Sequence, residues 1–93
     1  MSKPSIQIHY CVLCQWLLRS GWLAQELLST FSGELKAVSL VPASQGTFQI
    51  FYNEKLIWCR KRDQGFPDAK TLKQRVRDEL DPSRDLGHID KTN

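Results

Sequence analysis

A change of period at a pair of cysteines constrains this chain more than any other feature. Ser5-Ile6-Gln7-Ile8-His9-Tyr10 alternates polar and apolar side chains, which predicts a strand with Ile6, Ile8 and Tyr10 on one face and Gln7 and His9 on the other. Directly after Cys11-Val12-Leu13-Cys14 the period becomes helical, from about Gln15 to Thr30. Leu17, Gly21, Ala24 and Leu28 share a stripe, widened by Leu13, Leu27 and Phe31, while Gln15, Arg19, Trp22, Glu26 and Ser29 form the opposite face. The wide apolar arc predicts a well-buried helix with Trp22 partly exposed. Ser32-Gly33 supplies residues suited to ending it.

The remaining elements follow from the same two periods. Glu34 to Val41 alternates again, with Leu35, Ala37 or Val38, and Leu40 as core candidates, and Pro42 to Gly46 is expected to break it. Thr47–Tyr52 and Lys55–Cys59 are rich in aromatic and β-branched residues and flank Asn53-Glu54, which predicts a hairpin. Beyond the polar run Arg60 to Gly65, Pro67 stands at an expected first helical turn, and Ala69, Leu72, Val76 and Leu80 form a narrow stripe ending before Pro82. The order is β-α-β-β-β-α: an α/β fold with a four-stranded mixed sheet and two helices. The first strand-helix-strand passage is long enough for a parallel crossover. With 93 residues the chain has room for one core, expected over residues 1–82, with 83–93 a flexible tail.

Charge and hydropathy narrow the function classes. The formal net charge of +3 is dispersed, 3 basic against 2 acidic residues in 1–50 and 10 against 8 in 51–93, which is no nucleic-acid footprint. The most apolar stretch, Cys11 to Leu28, is interrupted by Gln15, Arg19, Gln25 and Glu26, so no membrane segment is predicted. The first residues carry no apolar signal region, and a cytoplasmic location is expected. Three cysteines, two of them in a CxxC, are not the paired framework of a small secreted protein; in a reducing compartment they point to redox or metal chemistry.

The position of the CxxC, between a strand and a helix, is more informative than the string. Unpaired N–H groups at a helix start favour a thiolate, lowering a cysteine pKa from about 8.5 to roughly 3.5–7.5. An i, i+3 pair entering a helical turn has Cα atoms roughly 5–6 Å apart, within the span of a disulfide. Thiol-disulfide exchange at Cys11 and Cys14 would then need neither metal nor organic cofactor. Buried structural thiols are the plain alternative. Zinc is the other, but it wants four ligands and only Cys59, His9 and His88 are left to supply them. Cys59 reads as a small buried hydrophobe. His9 projects to the side of Cys11, as a solvated histidine or as a group acting on the thiolate. Arg60-Lys61-Arg62 reads as a solvated strand end or as a guide for acidic partners such as the carboxylates of glutathione.

Ile8 to Trp16 around the motif, Gly46-Thr47-Phe48-Gln49-Ile50, and Leu56 to Pro67 together resemble the SelT/SelW/SelH (Rdx) family, in particular its bacterial selenoprotein W-like proteins. The likeness spans about residues 5–90. It implies a thioredoxin-like fold, a thiol- or selenol-based redox role, and the family's CxxC or Cys-x-x-Sec positions at Cys11 and Cys14. Selenocysteine occupies the second position where family members have it; here that residue is Cys14. Thioredoxin has a proline just before its third strand, where this chain has Gln45-Gly46-Thr47, so Gly46 and Thr47 are candidates for close approach of a partner. Trp22 and Phe66 are further candidates for partner docking, with core packing the role expected of Trp16. The expected partners are protein or glutathione thiols and disulfides. A protein-binding module with regulatory or structural cysteines is the alternative function, and a peroxide sensor using the same thiols is a third.

Overall fold

In the computed structural model, which describes residues 2–87, the alternating segment is strand β1, Ser5–Cys11, with Ile6, Ile8 and Tyr10 buried and Gln7 exposed. Leu17–Thr30 forms α1, Ala37–Ala43 β2, Phe48–Tyr52 β3, Lys55–Cys59 β4, Arg60–Asp63 the single-turn α2, and Ala69–Leu80 α3. The sheet order is β2-β1-β3-β4, with β1 parallel to β2 and antiparallel to β3, and β3 antiparallel to β4. Ile8 lies between Leu40 and Ile50. The alternation therefore continues across neighbouring strands and builds one apolar face. Helices α1 and α3 contact each other and cover that face. Each enclosed Ile, Leu or Phe there contributes roughly 1.5–3 kcal/mol.

The phase of α1 differs from the sequence-based expectation. Its buried residues are Ser20, Leu23, Ala24 and Leu27, followed by Phe31, whereas Leu17 and Leu28 are exposed and Leu13 lies out in the preceding turn. The helix is apolar around so much of its circumference that periodicity alone does not choose its inward side. Ser20 occupies the inward stripe because its hydroxyl donates to the Trp16 carbonyl at 2.8 Å, leaving no polar group unsatisfied. The helix is consequently less enclosed than its composition predicts.

Two further differences have local causes. Strand β2 runs through Pro42, which stands opposite Tyr10. As an outer strand it has one side without a neighbour, where a missing N–H is tolerated. The basic run forms α2, an addition to the two long helices expected. Asp63 holds it by accepting from Cys59 N at 2.9 Å, and left-handed Gln64 (φ 61°) followed by Gly65 (φ 139°) ends it.

The hairpin forms as expected, with Asn53 left-handed at φ 52° and tied to Ser5 by both its backbone N–H and its side-chain oxygen. A bulge skips Ile57, pairing Ile50 with Trp58 and Phe51 with Leu56, and both Ile57 and Trp58 are buried. Asp68 caps α3 by accepting from Thr71 N at 2.7 Å, and the expected stripe packs inward through Leu72 and Val76. From the expected tail, Arg84 lies over Phe31 and pairs with Glu34, and Leu86 packs against the core. His88 and the residues after it lie outside the described part. Among the described residues no helix is long and apolar enough to cross a membrane, and no group of three or more His, Cys, Asp or Glu is arranged to hold a metal ion.

Candidate functional site

The topology gathers the candidate chemistry at one end of the sheet. The C-termini of β1, β2 and β4 and the N-terminus of β3 meet there, so Cys11, the Ser44–Thr47 turn and the start of α2 share that edge. Cys11 is the last residue of a central strand and is completely buried. The chain then turns tightly: Gln15 N donates to Val12 O at 3.0 Å, and Gln15 takes the left-handed φ of 60° that redirects the backbone into α1. This turn brings the two Cα atoms to 5.3 Å, and Cys11 and Cys14 are joined as a disulfide.

The two sulfurs occupy unlike surroundings. Cys14 is half-buried, whereas Cys11 has no exposed surface. The N–H of Cys14 donates to Cys11 Sγ at 3.1 Å. The helix proper begins only at Leu17, with Trp16 as an N-cap that makes no side-chain hydrogen bond. A backbone donor inside the CxxC turn, rather than the first turn of α1, is thus the N–H seen to reach a sulfur.

An aromatic support lies directly behind the turn. Trp16, Phe48 and Phe66 meet edge to face, with ring centroids 4.9 to 6.4 Å apart. Arg19 lies 4.1 Å from the Phe66 centroid and Arg60 5.0 Å from that of Trp16. Arg60 also donates from Nη2 to Gly46 O at 3.3 Å, linking α2 to the β2–β3 turn. Phe66 is therefore a packing partner of Trp16, while Trp22 lies exposed on α1. Gly46 is left-handed at φ 80° and, with Thr47, Gln49, Cys59, Arg60 and Lys61, lines a small cavity of about 80 Å³.

Cys59 sits in that cavity wall as a free, half-buried thiol. The N–H of Arg62 foremost holds it below its ordinary pKa; burial opposes this, while Lys61 N–H, the Gln49 amide and the Arg62 charge assist. Burial raises the pKa of Asp63, but the Cys59 N–H and the Arg75 and Arg62 guanidinium groups outweigh it and hold the carboxyl at about 2. His9 is engaged elsewhere, its Nε2 donating to Gln7 Oε1 at 3.0 Å and its ring tilted against Phe51 with centroids 4.9 Å apart.

Sequence reasoning located the cysteines but not the anchoring role of Arg60 or the exposure of Val12, Leu13, Leu17 and Leu18. Gly65 after the polar run, a residue suited to ending a helix, was the available sequence signal for the turn that carries Arg60. None was available for the second, because it depends on the phase of α1.

No curated protein matches the chain. A crystal structure from Bordetella parapertussis is 58% identical, covering 85% of this chain and 100% of its own, with a TM-score of 0.84. The structure of a selenoprotein W-related protein from Vibrio cholerae is 56% identical over 86% of this chain and 100% of its own, also at 0.84. The fold is thioredoxin-like, as in these relatives. Residues 5–78 match the Rdx family, and the chain belongs to it.

Proposed function

We propose that this chain is a small thiol-disulfide redox protein whose Cys11–Cys14 pair cycles between disulfide and dithiol. One observation carries the reading: the two cysteines are joined across a tight turn, Cys11 fully enclosed and Cys14 only half-buried. An incoming thiolate attacks Cys14 Sγ, the Cys11–Cys14 bond breaks, and Cys11 leaves as a thiolate that accepts the Cys14 N–H. A second substrate thiolate then attacks the mixed disulfide. Two substrate thiols leave as a disulfide, and their two electrons reside on the reduced pair. In the reverse direction the Cys14 thiolate attacks a partner disulfide and Cys11 resolves the bond. The second motif position is also where selenocysteine stands in family members that have it. The partners are protein or glutathione thiols and disulfides, in a reducing setting such as the cytoplasm.

A glutathione redox titration tests this, with thiols alkylated at each point and peptides located by mass spectrometry. The expected result is one reversible two-electron transition linking Cys11 to Cys14. If both remain reduced throughout, the chain is instead a binding module with structural cysteines.

A further inference from the structure

Large apolar side chains are exposed very unevenly in this protein. Of the six among the described residues, five (Val12, Leu13, Leu17, Leu18 and Trp22) fall within residues 12–22, with Leu28 the sixth. Leu18 is 86% exposed and Leu13 79%. Scattered exposed apolar residues need no explanation, but a cluster does. This cluster has a definite address: Val12 and Leu13 lie between the two cysteines, and Leu17, Leu18 and Trp22 occupy the first two turns of the helix that follows.

The reaction identifies the occupant. Whatever exchanges with Cys14 must bring its own sulfur to that turn, so the atoms flanking the partner's sulfur lie against the neighbours of Cys14. Of the exposed side chains between Val12 and Leu18, Val12, Leu13, Leu17 and Leu18 are apolar and Gln15 alone is polar. Arg19 lies over Phe66, and Arg60 over Trp16 with its Nη2 on the Gly46 carbonyl, so both guanidinium groups lie against the aromatic support behind the turn. Glutathione carries charged ends and no apolar side chain. An extended protein segment with apolar residues on either side of its cysteine can cover Val12, Leu13, Leu17 and Leu18, which glutathione would leave in water.

Building on the redox reading above, we propose that Leu13, Leu17, Leu18 and Trp22 form a docking rim selecting protein cysteines flanked by apolar side chains. The step is Cys14–S⁻ attacking the partner's disulfide sulfur, forming the Cys14–partner bond and releasing the partner's other sulfur as a thiolate.

The test uses the full chain carrying Cys11→Ser and Cys59→Ser, so that the mixed disulfide persists and Cys14 is the reacting thiol. It is mixed with two short peptides of equal length and charge, each carrying one cysteine as a mixed disulfide with thionitrobenzoate. One has leucines beside the cysteine and the other serines. Release of the chromophore gives the rate, and mass spectrometry confirms attachment at Cys14. The leucine peptide is expected to react about tenfold faster, the effect of burying one to two methylene-rich contacts. The ratio should fall toward unity with added Leu18→Ser or Trp22→Ser, and should persist with Leu28→Ser, which lies outside the rim. Equal rates for the two peptides overturn the proposal, as does a ratio indifferent to Leu18→Ser and Trp22→Ser. A concentration-dependent dimer of the unmodified chain, abolished by Leu18→Ser, also overturns it by giving the rim to a second copy. The redox titration separates this failure from that of the underlying reading. A pair that cycles without peptide selectivity sinks only the rim, and a pair that never cycles sinks the redox function.

Discussion

Cys14 donates its own backbone N–H to the sulfur of Cys11 at 3.1 Å, so the half-buried member of the pair supplies a hydrogen bond to the sulfur of the fully enclosed one. The arrangement assigns different tasks to two residues three positions apart. In the proposed cycle Cys14 meets the partner, and Cys11 stores or releases charge behind it.

The first prediction follows from that division. With Cys11→Ser, Cys14 should be alkylated by iodoacetamide at least about tenfold faster than Cys11 is with Cys14→Ser, because attack requires access to the sulfur. Peptide-resolved mass spectrometry distinguishes both from Cys59. Equal rates, or a faster Cys11, would remove the basis for the assigned roles.

The third thiol provides a second prediction. Arg62 N–H foremost lowers the Cys59 pKa, which means more thiolate at a given pH. The pH profile of Cys59 alkylation should therefore have its midpoint below that of the same cysteine in the unfolded chain. Gln49→Ala removes one assisting contact, the amide 4.0 Å from the sulfur, and should move the midpoint upward. A wild-type midpoint at or above the unfolded-chain value would refute the assignment.

Much of this was legible in the sequence because strong local signals agreed with the tertiary structure. The β1 alternation survives because Ile6, Ile8 and Tyr10 all find apolar neighbours, and the α3 stripe survives because it is too narrow to be mis-phased. Helix α1 was ambiguous for the opposite reason. Leu17, Leu18, Trp22 and Leu28 make its outer side as apolar as its inner side, and Ser20 breaks the stripe that is buried. Pro42 misled because whether a strand tolerates proline depends on its place in the sheet, which composition does not reveal. The same ambiguity hid the apolar rim beside the cysteines.

Asp63 supplies a stability prediction with a definite pH sense. Its carboxylate accepts from Cys59 N and pairs with Arg62 and Arg75, which overcome the effect of burial and hold its folded pKa at about 2, below the unfolded value. A depressed carboxylate pKa stabilises the fold above the unfolded pKa, and that stabilisation is lost as pH falls toward the folded one. Asp63→Asn should therefore cost about 2 kcal/mol near neutrality, with the difference from wild type shrinking between about pH 5 and pH 2. Urea unfolding across that range measures it. A difference independent of pH would show that the contribution comes from shape and not from charge.

The α1–α3 contact gives a final prediction, in which the two members of one ion pair behave unequally. Lys73 Nζ reaches Glu26 Oε1 at 2.7 Å, but the lysine side chain is only 11% exposed and the glutamate 36%. Removing the glutamate leaves an ammonium in a poorly hydrated position, whereas removing the lysine leaves a carboxylate that water can reach. Glu26→Ala should therefore destabilise the protein by about 1–2 kcal/mol, and Lys73→Met, which keeps the aliphatic packing, by less than about 0.5 kcal/mol. Both are read from denaturant midpoints at constant m-value. The asymmetry follows from burial alone, so a larger loss for Lys73→Met than for Glu26→Ala would mean that the pair is held by attraction strong enough to outweigh desolvation.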